Sequence, residues 1–370
     1  IRLFSTFRVR WKNVVNQLKK YLPRVLAILA AAALFGAWTL DGYFNDPLNV
    51  SQDGYILDIA TGASSAKIIH TLADDKILKW PVIPVIYLKW TGSDKKIKAG
   101  EYALEPGITL RQLLKKLSSG DAIAHEVTIV EGWTLMQAIQ HLCQQQALRC
   151  TLGMPAQHVM SLLESPYGSE RRGTDRNPEG LLFPDTYHYA RDTTDADIVK
   201  QANQRLIRIL ENEWRDRDVD LPLLTPYDAL ILASIVEKET SVASEREKIA
   251  GVFVRRLQLK MRLQTDPTIV YGLGNEYAGN ITREHLQRIT PYNTYLIDGL
   301  PPTPIALPGK ASIHAVLHPE KGDAVYFVAR GDGSHVFATT LAEHNKNVMR
   351  YQIKPANKTA TSASKNETRR

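Results

Sequence analysis

Residues 227–274 read YDALILASIVEKETSVASEREKIAGVFVRRLQLKMRLQTDPTIVYGLG, two helical patterns in succession. Leu232, Ile235, Val236 and Glu239 recur at helical spacing, so the carboxylate shares a face with three apolar side chains. Ser244 followed by Glu247 is the signature of a capping box, which predicts a second helix with Ile249, Val252, Phe253 and Leu257 as its apolar stripe. The break between the two helices then falls at Thr240–Ala243, placing Glu239 in the last turn of the first. There the negative end of the helix dipole and an apolar neighbourhood both raise a carboxyl pKa, the condition for a general acid near neutral pH. Two alternatives stay open. Glu239 as a solvated helix-end residue would pair with Lys238 or Arg246, and Glu237, behind Leu230 and Ala233 on another face, is a rival acid.

Outward from this helix pair, the 370-residue chain is 44% apolar and 23% charged, enough for a substantial core and more than one domain. Its net charge of +7 is unevenly placed. Residues 1–24 carry Arg2, Arg8, Arg10, Lys12, Lys19, Lys20 and Arg24 without an acid, residues 351–370 are also basic, and the body between them is mildly acidic. A basic nucleic-acid-binding body is thereby excluded. Val25–Leu40, VLAILAAAALFGAWTL, carries no charge and is followed by Asp41, so residues 25–41 are expected to form a membrane anchor. Its short apolar run can be extended by Tyr21 and Leu22, with Trp38 at an interface. An uncleaved anchor fits better than a cleaved signal peptide or a core helix, and the basic residues predict a cytoplasmic N-terminus with everything after Asp41 across the membrane.

Residues 42–124 read as a small α+β module. GYILDIA is strand-like, SSAKIIHTLADDKIL helical, WPVIPVIYLKW a second apolar run leading to KAGEYAL, and LRQLLKKLSSG a helix with Thr109 and Gly120 as caps. With few convergent titratable groups, it suits binding better than catalysis. In residues 125–350, EVTIVEGW is an expected strand, followed by a helical stretch to about Leu163 and a polar loop, PYGSERRGTDRNPEG. Helices are expected over 196–214 and 226–240, and late strands in DAVYFVAR and HVFATT around the turn GDGS. The basic tail, 351–370, is expected to be disordered. The fold class is thus α+β with one N-terminal transmembrane helix. Cys143 and Cys150 could pair in an oxidising compartment or stay two separate thiols; in one continuous helix they would sit two turns apart, too far for a bridge.

Six stretches together resemble one family: VEGWTL (130–135), EGLLFPDTY (179–187), ASIVEKETSVASEREKIAGVFVRRL (233–257), MRLQTDPTIVYGLG (261–274), TPYNTYLIDGLPPTPIALPG (290–309) and HPEKGDAVYFVARGDGSHVFATTLAEHNK (318–346). They are similar to the YceG-like family of murein lytic transglycosylases. The resemblance implies a lysozyme-like, mainly helical catalytic domain preceded by a LysM-like module, acting on the glycan strands of nascent peptidoglycan from the periplasmic side of the inner membrane. It implies Glu239 as the acid/base, no cofactor and no metal, and penicillin-binding peptidoglycan synthases as candidate partners. Tyr292 and Asn293 resemble a cleft-lining Tyr-Asn element of lysozyme-like enzymes. Gln264, Thr265 and Asp266, after the second helix, are candidate substrate contacts, with Asp266 equally readable as a turn former. Tyr295, with Tyr271, is a candidate for stacking on sugars or for the core, whereas Phe183 and Tyr187 read as core.

Three Ser-x-x-Lys matches, at Ser64, Ser93 and Ser362, lack the Lys-Thr-Gly and Ser-Asp-Asn partners of penicillin-binding enzymes and read as chance. His314 and His318 have metal-ligand spacing, but Ala315 stands where a metalloprotease needs Glu, and a helix-end pair is the simpler reading. Two rival functions remain. A hydrolase of the same glycan needs a second carboxylate such as Asp266 or Glu245, and a silent wall-binding scaffold needs none.

Overall fold

The computed structural model describes residues 2–153, 157–163 and 177–353, with side chains from residue 22 onward save at 157 and 158. Contacts divide the chain into two compact units, residues 1–124 with 190–192, and residues 125–189 with 193–370. Helix α1, Arg2–Asn45, is continuous through Pro23, and its Leu22–Asn45 part is long and apolar enough to cross a membrane.

The rest of the first unit runs β1 (Tyr55–Ile59), α2 (Ser65–Asp74), α3 (Val82–Thr91), β2 (Gly100–Leu104) and α4 (Leu110–Ser119). The two strands pair antiparallel, Tyr55 opposite Leu104. Alternation in YILDI sends Leu57 and Ile59 inward, onto Ile68, Ile69 and Leu72 of α2 and Leu110, Leu113 and Leu117 of α4. Thr109 caps α4 in a full capping box with Gln112, and Gly120 ends the helix at φ +77°.

The second unit opens with β3 (His125–Thr128), paired antiparallel with β4 (Thr186–Tyr189). Between them α5 (Leu135–Cys143) stops well short of the expected helical end at Leu163. The chain turns after Cys143, a disulfide joins it to Cys150 with the Cα atoms 4.9 Å apart, and a single turn, α6 (Gln157–Met160), follows. The break that permits the bridge is fastened further by Arg149, whose N–H donates to the Thr193 carbonyl. Most of the polar loop at 166–180 lies outside the described residues, as does the tail from 354.

Helix α7 (Asp195–Arg215) is followed by α8 (Pro226–Glu239), the centre of this unit. Thr225 and Asp228 cap α8 reciprocally and Pro226 starts it. The run ALILASIV is apolar on every side but one, and residues 228–236 are all buried rather than only the single face expected. The exception, Ser234, is satisfied: its hydroxyl donates to the Ile231 carbonyl and accepts from the N–H of Ile305. Helix α9 (Arg246–Gln258) begins one residue later than a Ser244 cap would put it. Ala243–Glu245 form a 3₁₀ turn and no side chain caps α9; Glu245 is drawn off to accept from the N–H and ring of His335. The remaining helices are α10 (Asp266–Leu273), α11 (Arg283–Gln287), α12 (Lys310–Leu317) and α13 (Leu341–Val348). Before α13, β5 (Tyr326–Ala329) and β6 (His335–Ala338) form an antiparallel hairpin. Helix α8 packs among α7, α9, α10 and α12, so its C-terminus is braced from several sides.

Candidate active site

Glu239 is the last residue of α8. Thr240 leaves the helix with φ −145°, its N–H donating to the Val236 carbonyl, so the chain turns away and exposes the glutamate to a cleft. That cleft, about 620 Å³, is lined by residues 130–132, 237–241 and Arg246. Only part of the Glu239 side chain meets solvent. Its Oε2 accepts one hydrogen bond, 3.0 Å from the Thr265 hydroxyl. Burial pushes the carboxyl up to about 7, with Asp266 adding to the rise while Thr265 and the Arg256 guanidinium oppose it. The group is therefore divided between acid and base near neutrality.

Thr265 is held as firmly as a core residue. Its N–H donates to Thr294 Oγ1 and its carbonyl accepts from Thr268 Oγ1, so Thr265, Thr268 and Thr294 form one buried hydrogen-bonded cluster beside Glu239. Gln264 sits at φ +49° and donates its backbone N–H to the Thr294 carbonyl, which turns its side chain to solvent. Asp266 opens α10 and accepts from the Tyr295 hydroxyl at 2.7 Å. Burial and Asp266 hold that phenol well above its ordinary range. Arg256 spends its guanidinium on the carbonyls of Val325 and Leu263, fixing a positive charge beneath the site without pairing with Glu239.

Not every expected site residue converges here. Asn293 is buried, its amide donating to the Leu286 and Arg288 carbonyls and its Oδ1 accepting from the N–H of Tyr295. It shapes the loop that carries Tyr295 and faces no cleft. Tyr292 bonds Thr303 and stands edge-on to Tyr271, 4.8 Å between ring centroids. Both belong to a second polar cluster around Glu179, which accepts from the N–H groups of Leu135 and Gly180 and from the Tyr271 hydroxyl. Burial raises Glu179 to about 7 despite those donors. His314 and His318 bond Glu213 and Asp218 respectively, with Lys310 also on Glu213. All three members of this Glu-His-His group therefore have side-chain partners within α7, α12 and their ends.

Glu237 and Glu239 differ in what helix α12 does with them. Glu237 Oε2 accepts from the N–H of Gly309, 3.0 Å, and from the Ser312 hydroxyl, 2.6 Å, so it caps the N-terminus of α12. Sequence reasoning passed over Glu131, in VEGW. Its carboxylate lies against Gly309, where an added Cβ would stand 1.9 Å from Oε1. Burial and Glu237 raise its pKa, and Arg246 opposes them. Gly132 donates to the Leu307 carbonyl and Leu307 to that of Trp133, tying VEGW to the LPG of 307–309, and Lys238 Nζ donates to the Gly132 carbonyl. The glycine directly after Glu131, in the turn that follows β3, was the signal available.

A family model described as the YceG-like family matches residues 57–350. A Bacillus subtilis protein named endolytic murein transglycosylase is 31% identical over 88% of this chain and 91% of its own length. A Streptococcus pneumoniae protein of the same name is 29% identical over 87% of this chain, which spans 63% of that longer relative. A crystal structure of a yceG-like protein from Listeria monocytogenes shares 30% identity, with a TM-score of 0.49 over 80% of this chain and 99% of its own. Motifs, family match and relatives agree: the chain belongs to the YceG-like family.

Proposed function

We propose that the chain is a membrane-anchored endolytic murein transglycosylase, with Glu239 as its single acid/base. The observation that carries this reading is one carboxyl, poised near neutrality at a helix end and open to a cleft, held by the Thr265 hydroxyl while its neighbour Glu237 is taken up by helix α12. Protonated Glu239 donates to the oxygen joining N-acetylmuramic acid to N-acetylglucosamine, and the bond from that oxygen to the muramic C1 breaks. The muramic N-acetyl group steadies the cationic carbon. Ionised Glu239 then accepts the proton of the C6 hydroxyl as its oxygen bonds to C1, closing a 1,6-anhydro ring and restoring the acid. The nucleophile is tethered to the reacting carbon, which supplies the advantage of proximity without water.

In this reading residues 125–350 form the lysozyme-like catalytic domain and residues 42–124 a LysM-like module, the latter supported by the β1-α2-α3-β2 order with its antiparallel pair. The basic residues before α1's apolar part favour a cytoplasmic N-terminus, which puts Glu239 on the side where glycan strands are made and penicillin-binding synthases work. The test is to incubate the full chain with uncrosslinked glycan strands and weigh the products. Anhydro ends support the reading. Ends one water heavier identify a hydrolase, unchanged strands identify a scaffold, and full activity of Glu239→Gln removes the acid from this position.

A further inference from the structure

Helix α3 presents an apolar stripe to the outside of the first unit. Pro84 and Leu88 face inward, while Val82 and Ile86 are each 62% exposed and Trp90 85%, at i, i+4 and i+8 on one side. Trp80, 68% exposed, precedes the helix and extends the stripe. Such a face is rare on a soluble module and demands an occupant. Its composition narrows the choice: tryptophans at both ends of an aliphatic centre, with Lys79, Lys89, Lys95 and Lys96 exposed around them, is the pattern of a helix lying in a membrane interface.

The last turn of α1 supplies the independent observation. Tyr43 stands 6.1 Å from Trp80 and donates its hydroxyl to the Lys79 carbonyl, and Phe44 lies 4.7 Å from Tyr87, ring centroid to ring centroid. On the other side of the same turn, Arg111 of α4 pairs with Asp41 and donates to Asn45. The apolar span therefore enters the module as a rigid, packed helix end. At a rise of about 1.5 Å per residue, Tyr43 lies about 3 Å beyond Asp41, well inside a headgroup layer of about 5–8 Å. Whatever depth the span takes, α3 is held at its boundary.

We propose that α3 is a membrane-contact element, its Trp80–Trp90 stripe seated in the headgroup layer of the bilayer that α1 crosses. It would fix the tilt of the first unit against the membrane, where a lone anchor leaves it free to swing. The test uses the full chain in lipid nanodiscs. Cys143 and Cys150 are paired, so Trp90→Cys offers one thiol for an environment-sensitive fluorophore. Shallow doxyl-labelled lipid is expected to quench this label several-fold more than aqueous iodide does, and to quench a Val82→Cys label likewise. Adding Ile86→Glu to the Val82→Cys protein should reverse that preference. Iodide quenching without lipid quenching overturns the proposal, as does protection from both quenchers that depends on more than one copy per disc, which assigns the stripe to a second chain.

Discussion

Replacing Glu239 by Gln should abolish activity and, above neutral pH, make the protein more stable. The folded carboxyl titrates at about 7 against 4.5 for an ordinary glutamate, because ionisation leaves a charge largely out of water. Below pH 4.5 the group is protonated in both the folded and the unfolded chain, and burial costs nothing extra. As the pH rises through the folded pKa, the unfolded chain has already ionised, and the native state bears the full penalty. At 1.36 kcal/mol per pH unit the rise from 4.5 to about 7 amounts to about 3–4 kcal/mol, and the open side of the cleft, by screening the charge, trims it to about 2–3 kcal/mol. Glutamine never ionises and still accepts from Thr265. Urea unfolding of the full chain in detergent, at pH 4 and pH 8, measures the difference: near zero at the lower pH and about 2–3 kcal/mol in favour of the variant at the higher. A variant equally or less stable than its parent at pH 8, or stabilised by the same amount at both, would refute the argument that burial poises this acid.

The neighbours of Glu239 should move its pH profile in opposite directions. Thr265→Val removes the donor that favours the ionised form, so the alkaline limb of the rate profile shifts upward and stability falls by about 1 kcal/mol. Asp266→Asn removes a charge that favours the protonated form, so the limb shifts downward while Tyr295 keeps its acceptor. Gly180→Ala should lower stability by roughly 2–3 kcal/mol in thermal unfolding, since Gly180 sits at φ +80° and its Cβ would stand 2.4 Å from that of Pro304. Glu131→Gln should change the rate by less than about tenfold, with products that keep anhydro ends by mass spectrometry.

What could be read from sequence followed the range over which each interaction acts. The α8–α9 pair and the position of Glu239 at a helix end are local facts, written in periodicities within 227–274. The caps at Thr109 and Gly120 are as local, and they stand where expected. The Ser244 box has the right spacing, but a tertiary partner, His335, 90 residues away, claims Glu245 and pulls the turn into 3₁₀ form. Glu237 and Glu239 are alike in sequence and differ only through Gly309 and Ser312, 72 and 75 residues on, which engage one and leave the other. Asn293 is legible as polar, not as inward-facing, because its partners are backbone groups at the end of α11 and in the loop beyond it. The disulfide depended on where α5 ends, and periodicity marks that point poorly.

The arrangement of carboxylates favours transglycosylation over hydrolysis. A two-carboxylate glycosidase needs a second group free to act as nucleophile or to activate water across the scissile bond. Glu245 is occupied: burial alone would raise it, but the N–H and ring of His335, with Arg330, hold its carboxyl below the usual range. Glu237 caps α12, and Asp266 accepts from Tyr295 beside Glu239 while lifting its pKa. Glu131 lines the cleft, and burial and Glu237 raise its pKa while Arg246 opposes them. Glu237 and Glu245 are thus taken up by other partners, and Asp266 tunes Glu239 toward the neutral form. A single acid that later serves as base suffices when the nucleophile is the substrate's own hydroxyl, and that economy explains why so much of the surrounding polar chemistry is spent on rigidity.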